Sequence, residues 1–174
     1  MWGPTRPESG TPIRVLLRHA DAGLRSAWSG PDEWRGLTEA GDAQAAAVPA
    51  RLRSLPILRI LSSPSLRCRQ TVVPIAHELS VDVEPCWQLG PHVELRDLLR
   101  LLGDPETNSA LLCTHRETLQ MLFAHLAHGG WAHDGESISP MPMGAVWILH
   151  GTVGTVGSAW LQYLPSSGAV PLLR

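Results

Sequence analysis

Short apolar runs alternate with segments of helical periodicity along most of this chain, and that alternation restricts the folds open to it. Ile13-Arg14-Val15-Leu16-Leu17 is a β-compatible run, as are Leu58-Arg59-Ile60-Leu61 and Ala110-Leu111-Leu112-Cys113. Between the first two, Thr38 is placed to cap a helix through the Ala-rich stretch to about Leu52. Ser63-Pro64 supplies an N-cap with proline at the first helical position, which predicts a helix toward Leu79 with a kink or break at Pro74. Leu95, Leu98, Leu99 and Leu102 fall on one helical face, stopped by Gly103. Leu119, Leu122, Phe123 and Leu126 repeat the spacing before Gly129-Gly130. Beyond them the period becomes two, in Val146-Trp147-Ile148-Leu149 and Ala159-Trp160-Leu161-Gln162-Tyr163. Strands alternating with helices predict an α/β fold: a single three-layer domain with a mostly parallel central sheet flanked by helices.

A length of 174 residues, 44% of them hydrophobic, suits one domain with its own core. Residues 1–11, rich in Pro, Gly and Thr, read as a flexible N-terminal arm, which leaves 12–174 as the domain. Fourteen basic residues face sixteen acidic ones, a net charge of −2 that gives no footprint for nucleic acid. All of the basic residues are arginine, so neither a Schiff-base lysine nor a P-loop lysine is available. The first residues hold no apolar leader and no apolar run approaches ~20 residues, so the expectation is a cytoplasmic protein without a membrane partner. Cys68, Cys86 and Cys113 stand too far apart for a CxxC site and read as buried free thiols.

In open α/β sheets ligands bind beyond the carboxyl ends of the strands, so the residues just past each strand carry the chemistry. The first run ends in Arg18-His19. The second enters Ser62-Ser63-Pro64-Ser65-Leu66-Arg67, which puts Arg67 in the first turn of a helix. The third ends in Thr114-His115, also directly before a helix. Two arginines and two histidines would thus meet at one sheet edge, beside helix N-termini whose free N–H groups favour an anion. Phosphoryl transfer needs such a set. Guanidinium forks neutralise the equatorial oxygens, and a neutral imidazole can attack phosphorus and split the displacement into two steps. Arg18 is expected to help keep His19 neutral, and His115 to donate to the phosphoryl group as charge builds up. No cofactor is called for.

The same elements bear a resemblance. Leu17-Arg18-His19-Ala20 resembles the R-H-G/A signature of the histidine phosphatase superfamily, the phosphoglycerate mutase-like fold. Leu37-Thr38-Glu39-Ala40-Gly41 resembles its L-T-x-x-G helix start, and residues 62–71 its S-S-P-x-x-R-A-x-Q-T element. Cys113-Thr114-His115 sits where that family has its second histidine, and residues 142–147 resemble the late strand entry. The resemblance implies His19 as a phosphorylated nucleophile, with Arg18, Arg67 and His115 as phosphate ligands. The compact size is similar to SixA-type phosphohistidine phosphatases. The stretch from Arg18 to Trp28 is similar to the histidine phosphatase domain fused to MutT-like Nudix hydrolases, although no Nudix box is present. The implied activity is a metal-independent phosphatase. Its partner would be a phosphohistidine protein or a phosphorylated small molecule such as a nucleotide.

One departure concerns the proton donor. The family commonly places a glutamate after the strand that follows the Arg67-type helix, and here the region reads Trp87-Gln88-Leu89-Gly90-Pro91-His92-Val93-Glu94. Glu84, His92 and Glu94 are the candidates, with His92 preferred. A weak donor favours good leaving groups over alkyl esters and disfavours mutase chemistry. Trp28 and Arg25, in the loop after His19, are candidate substrate contacts through stacking and charge, and a loop stapled by its own tryptophans is the competing reading. Arg69 reads as a surface charge, and Trp147 and Trp160 as core. His125, His128 and His133 lack an acidic or cysteine partner at ligand spacing, so no metal site is expected. Gly151, Gly154 and Gly157 read as a hairpin loop. A cysteine phosphatase is excluded, since the positions six beyond each cysteine are Pro74, His92 and Leu119 rather than arginine. A catalytically quiet phosphate-binding module and a phosphoglycerate-type mutase are the alternatives.

Overall fold

The computed structural model describes residues 10–129, 132–133, 141–151 and 160–164. Most of the N-terminal arm, together with Gly154 and Gly157, lies outside them. The strands are β1 (Ile13–Arg18), β2 (Arg59–Ser62), β3 (Val83–Pro85), β4 (Ala110–Thr114), β5 (Ala132–His133), β6 (Val146–His150) and β7 (Trp160–Leu164). The helices are α1 (Glu39–Leu52), α2 (Leu66–Leu79), α3 (Leu95–Gly103) and α4 (Arg116–His128). The strands form one seven-stranded sheet in the order β3-β2-β4-β1-β6-β7-β5. Its pairings are parallel except those that β6 makes with β1 and β7. This is the phosphoglycerate mutase-like α/β architecture.

Alternation along the strands builds the three layers. Val15, Leu17, Ile60, Leu111, Cys113, Val146 and Ile148 point to one face and cluster with Val48 and Leu52 of α1 and Val72 and Ile75 of α2. Leu16, Leu61, Leu112, Trp147 and Leu149 point to the other, with Leu98 and Leu102 of α3 and Leu119, Leu122, Phe123 and Leu126 of α4. Period-two burial on a sheet and 3.6-period burial on helices are the physical content of the sequence pattern. Parallel β1, β2 and β4 all end on the same edge, and their registers align Arg18 with Thr114 and Ser62 with Cys113. Residues directly after those strands therefore converge.

Several expectations need correcting. Helix α2 begins after Ser65, two residues later than the Ser63-Pro64 reading. The Ser63 hydroxyl is instead engaged with His115 and with the Ser65 amide. Pro74 does not break α2, which runs through it to Leu79; the ring removes one amide while packing sustains the flanking turns. On α3 the buried stripe is Leu98, Leu101 and Leu102, with Leu95 and Leu99 half-buried, so the apolar face is rotated from the expected one. Leu58 is exposed and precedes β2. Trp147 is fully buried against Phe123 and Tyr163, whereas Trp160 is half-buried at the start of β7. The short edge strand β3, in the place of the strand implied after the Arg67 helix, is marked by no apolar run of its own.

Candidate active site

His19 follows β1 directly and its amide is held by the Thr114 carbonyl at 3.0 Å. The imidazole is buried, and Nδ1 lies 2.8 Å from the Ala20 carbonyl. A carbonyl only accepts, so the proton sits on Nδ1 and Nε2 carries the lone pair. Burial lowers the His19 pKa to about 4; the Cys68 sulfur and the Ala20 carbonyl act in the opposite direction, and the neighbouring His115 and Arg67 lower it further. The ring is therefore a neutral base at neutral pH. Burial, and not the charge of Arg18 that was expected to act, is the largest cause. The Arg18 guanidinium hydrogen-bonds to the Met141 carbonyl and its electrostatic neighbours are Arg116 and Glu117.

His115 caps α4 from the end of β4, fully buried. Its ring meets His19 edge-on, with centroids 5.3 Å apart. Nε2 lies 2.8 Å from the Ser63 hydroxyl and 3.5 Å from the Cys68 sulfur, and Nδ1 lies 3.3 Å from Nη2 of Arg67. Arg67, in the first turn of α2, is buried, and its Nε has no partner among the described residues. The Nε of Arg18 is orphaned in the same way. If the Ser63 hydroxyl donates to Nε2 of His115, the proton moves to Nδ1. That nitrogen and Nη2 of Arg67 then become two donors side by side, an arrangement an anionic oxygen between them would relieve. The structure thus brings His19, Arg67 and His115 together, with Arg18 on the same edge.

Other predicted residues lie further out. His92 is exposed, in the segment before α3, and makes no hydrogen bond among the described residues. Its loop is pinned to the site, because Thr114 donates to the Leu89 carbonyl at 2.7 Å and Thr118 to the Gly90 carbonyl at 2.8 Å. Glu84 is engaged in an ion pair with Arg59, and Glu94 pairs with Arg96. Trp28 donates its indole N–H to the Pro31 carbonyl at 3.0 Å and lies against Gly30, so the loop-staple arrangement is present, with the residue 38% exposed. Arg25 bonds the Trp28 carbonyl and Asp32. Arg69, His125 and His128 are exposed, and the side chain of His133 lies outside the described residues.

Several of the remaining motif residues form the site's scaffold. Thr71 accepts the Ala20 amide at 2.9 Å and donates to the Arg67 carbonyl, which ties the His19 loop to α2. Gln70 accepts the Leu37 amide at 2.9 Å. Thr38 caps α1 by accepting the Gly41 amide, and its own amide bonds the Asp21 carbonyl at 2.9 Å. A Cβ on Gly41 would stand 2.0 Å from that same carbonyl, so only glycine allows α1 to start there. Sequence reasoning missed Asp32, which bonds Arg67, Arg35 and Arg25. Its one signal was an acid flanked by arginines in the loop after His19.

A doubly covered, mostly parallel sheet carrying two histidines and two arginines on one edge is the arrangement expected of a histidine phosphatase domain, and part of the chain is similar to the histidine phosphatase superfamily. The family model for branch 1 of that superfamily matches residues 14–89. The architecture is similar to that of SixA-type proteins. A protein from Agrobacterium tumefaciens, named as a candidate phosphohistidine phosphatase SixA, is 27% identical and has a TM-score of 0.62, with 89% of this chain and 96% of that one covered. The tungstate complex of the protein histidine phosphatase SixA shares the fold, with a TM-score of 0.65 at 22% identity, covering 86% of this chain and 93% of that chain. An 8-oxo-(d)GTP phosphatase of Mycolicibacterium smegmatis (strain ATCC 700084 / mc(2)155) is 26% identical over 160 residues, 85% of this chain and 47% of that protein. The chain spans about half the length of that curated relative. No helix among the described residues is long and apolar enough to cross a membrane.

Proposed function

We propose that the chain is a phosphatase in which His19 takes the phosphoryl group and passes it to water. Nε2 attacks phosphorus, the bond to the leaving group breaks, and that group departs with its electron pair and acquires a proton. Arg18, Arg67 and His115 hold the equatorial oxygens while charge is redistributed. Water then attacks the phosphohistidine, giving inorganic phosphate and returning the lone pair to Nε2. His92 is proposed as the donor to the leaving group, reaching it from the pinned loop beside α4. No metal is required in this scheme.

The observation that carries the reading is the state of His19: buried, neutral, with Nδ1 committed to a backbone carbonyl and Nε2 left for chemistry. The substrate is a phosphohistidine protein or a nucleotide-like small molecule. The names of the SixA relatives favour the first and that of the Mycolicibacterium relative the second. The test is phosphate release from p-nitrophenyl phosphate in EDTA, wild type beside His19→Ala. Turnover that survives EDTA and is lost in the variant is expected. Turnover that persists in His19→Ala overturns the assignment, and inactivity of both proteins on this ester and on acetyl phosphate favours a binding module.

A further inference from the structure

We infer that Asp32 is a positioning residue for the phosphate site, clamping one end of the Arg67 guanidinium so that its other edge faces His115. The inference rests on Arg67 holding phosphate, as proposed above. A guanidinium offers two forks: the end, between Nη1 and Nη2, and the side, between Nε and Nη2. The end is taken by Asp32. Nη1 donates to its backbone carbonyl at 2.7 Å and Nη2 to Oδ2 at 2.9 Å. The side fork is the one left open: Nε is buried without a partner among the described residues, and Nη2 lies 3.3 Å from Nδ1 of His115, on the edge that faces that ring.

Asp32 is fixed in turn. Oδ1 accepts from Nε of Arg35 at 2.9 Å and pairs with Nε of Arg25 at 3.1 Å. Arg35 also donates to the carbonyls of Ala22 and Gly23 at 2.8 and 2.9 Å, just beyond His19. Burial alone would raise the Asp32 carboxyl, but the Arg35 hydrogen bond and the charges of Arg67, Arg35 and Arg25 hold it below its ordinary range. It is an anion in the resting site. A carboxylate on a phosphate-binding arginine could instead be a competitor that phosphate must displace. The anchoring by Arg35 argues against this, because the open fork lies on a different edge from the one Asp32 occupies.

The two readings predict opposite signs. The experiment is calorimetric titration of inorganic phosphate in EDTA at neutral pH, with kcat and KM for p-nitrophenyl phosphate, on wild type, Asp32→Asn, Arg67→Ala and the double variant. Asp32→Asn is expected to weaken phosphate about 10-fold, the scale of a lost charge-assisted hydrogen bond, and to raise KM by a similar factor. In the Arg67→Ala background the same change should cost little more, because the residue it positions is gone. Unchanged or tighter phosphate binding in Asp32→Asn overturns the inference, as does an equal loss in both backgrounds. If Asp32→Asn fails to fold, the equal-sized pair Asp32→Glu and Asp32→Gln decides: the acid must bind phosphate more tightly than the amide, and equal affinities refute the clamp. A wild type that binds phosphate but turns nothing over removes the phosphatase reading alone, since the binding data still decide the clamp. A wild type that does not bind phosphate overturns both.

Discussion

Acid should uncouple the folded and unfolded states of this protein through one ring, His19. In the unfolded chain the imidazole takes a proton near its ordinary value of 6.5, whereas in the native site burial delays this to about 4. The unfolded state therefore binds more protons across that window, and stability falls as the pH is lowered through it. The native contribution is fully intact above 6.5. At about 1.4 kcal/mol per pH unit, the gap corresponds to about 3 kcal/mol lost by pH 4. His19→Gln removes the titrating group at nearly constant size. Urea unfolding of both proteins at several pH values between 7 and 4 should show the wild type losing about 3 kcal/mol more than the variant, and nitrogen-detected NMR should find His19 neutral at pH 5. Parallel pH profiles, or a His19 signal titrating near 6.5, would refute the buried-neutral-base argument.

The same geometry makes three further outcomes testable. Gly41→Ala places a Cβ 2.0 Å from the Asp21 carbonyl. It should cost about 2 kcal/mol or more, read as a shifted urea midpoint; an unchanged midpoint would mean α1 can move away freely. Trp28→Ala should weaken turnover of nucleotides more than of acetyl phosphate, which has no ring to stack on the partly exposed Trp28; equal losses would assign the ring to stapling its own loop. His92→Ala should slow phosphate esters with poor leaving groups and spare acetyl phosphate, and equal effects on both would remove His92 as the proton donor.

The fold was legible because burial follows simple periods here. Every core strand residue of β1, β4 and β6 was readable from an apolar run, and α4 from the spacing of Leu119, Leu122, Phe123 and Leu126. Boundaries failed where tertiary contacts recruit a capping group, as when Ser63 turns to His115 rather than to the helix. The convergence of His19, Arg67 and His115 was legible for a topological reason, since parallel neighbouring strands must end on one edge. Side-chain direction was not legible. Arg18 turns to Met141 and Arg116, so the depression of His19 comes from burial first and not from its sequence neighbour. Asp32 was hidden because a loop without periodicity gives no signal of where a carboxylate will point. Thr71 and Gln70 belonged to a recognisable motif, but their work as staples between the His19 loop and α2 emerges only once hydrogen bonds are assigned.

The central claim is a covalent intermediate on His19. Rapid acid-free quenching of the enzyme during turnover of p-nitrophenyl phosphate or acetyl phosphate, followed by peptide mass spectrometry under alkaline conditions, tests it directly. One added phosphoryl group is expected on the peptide carrying His19, lost on mild acid treatment and absent from His19→Ala. Phosphate release without any modified peptide, or a phosphoryl group found on His115 or on a serine, would contradict it.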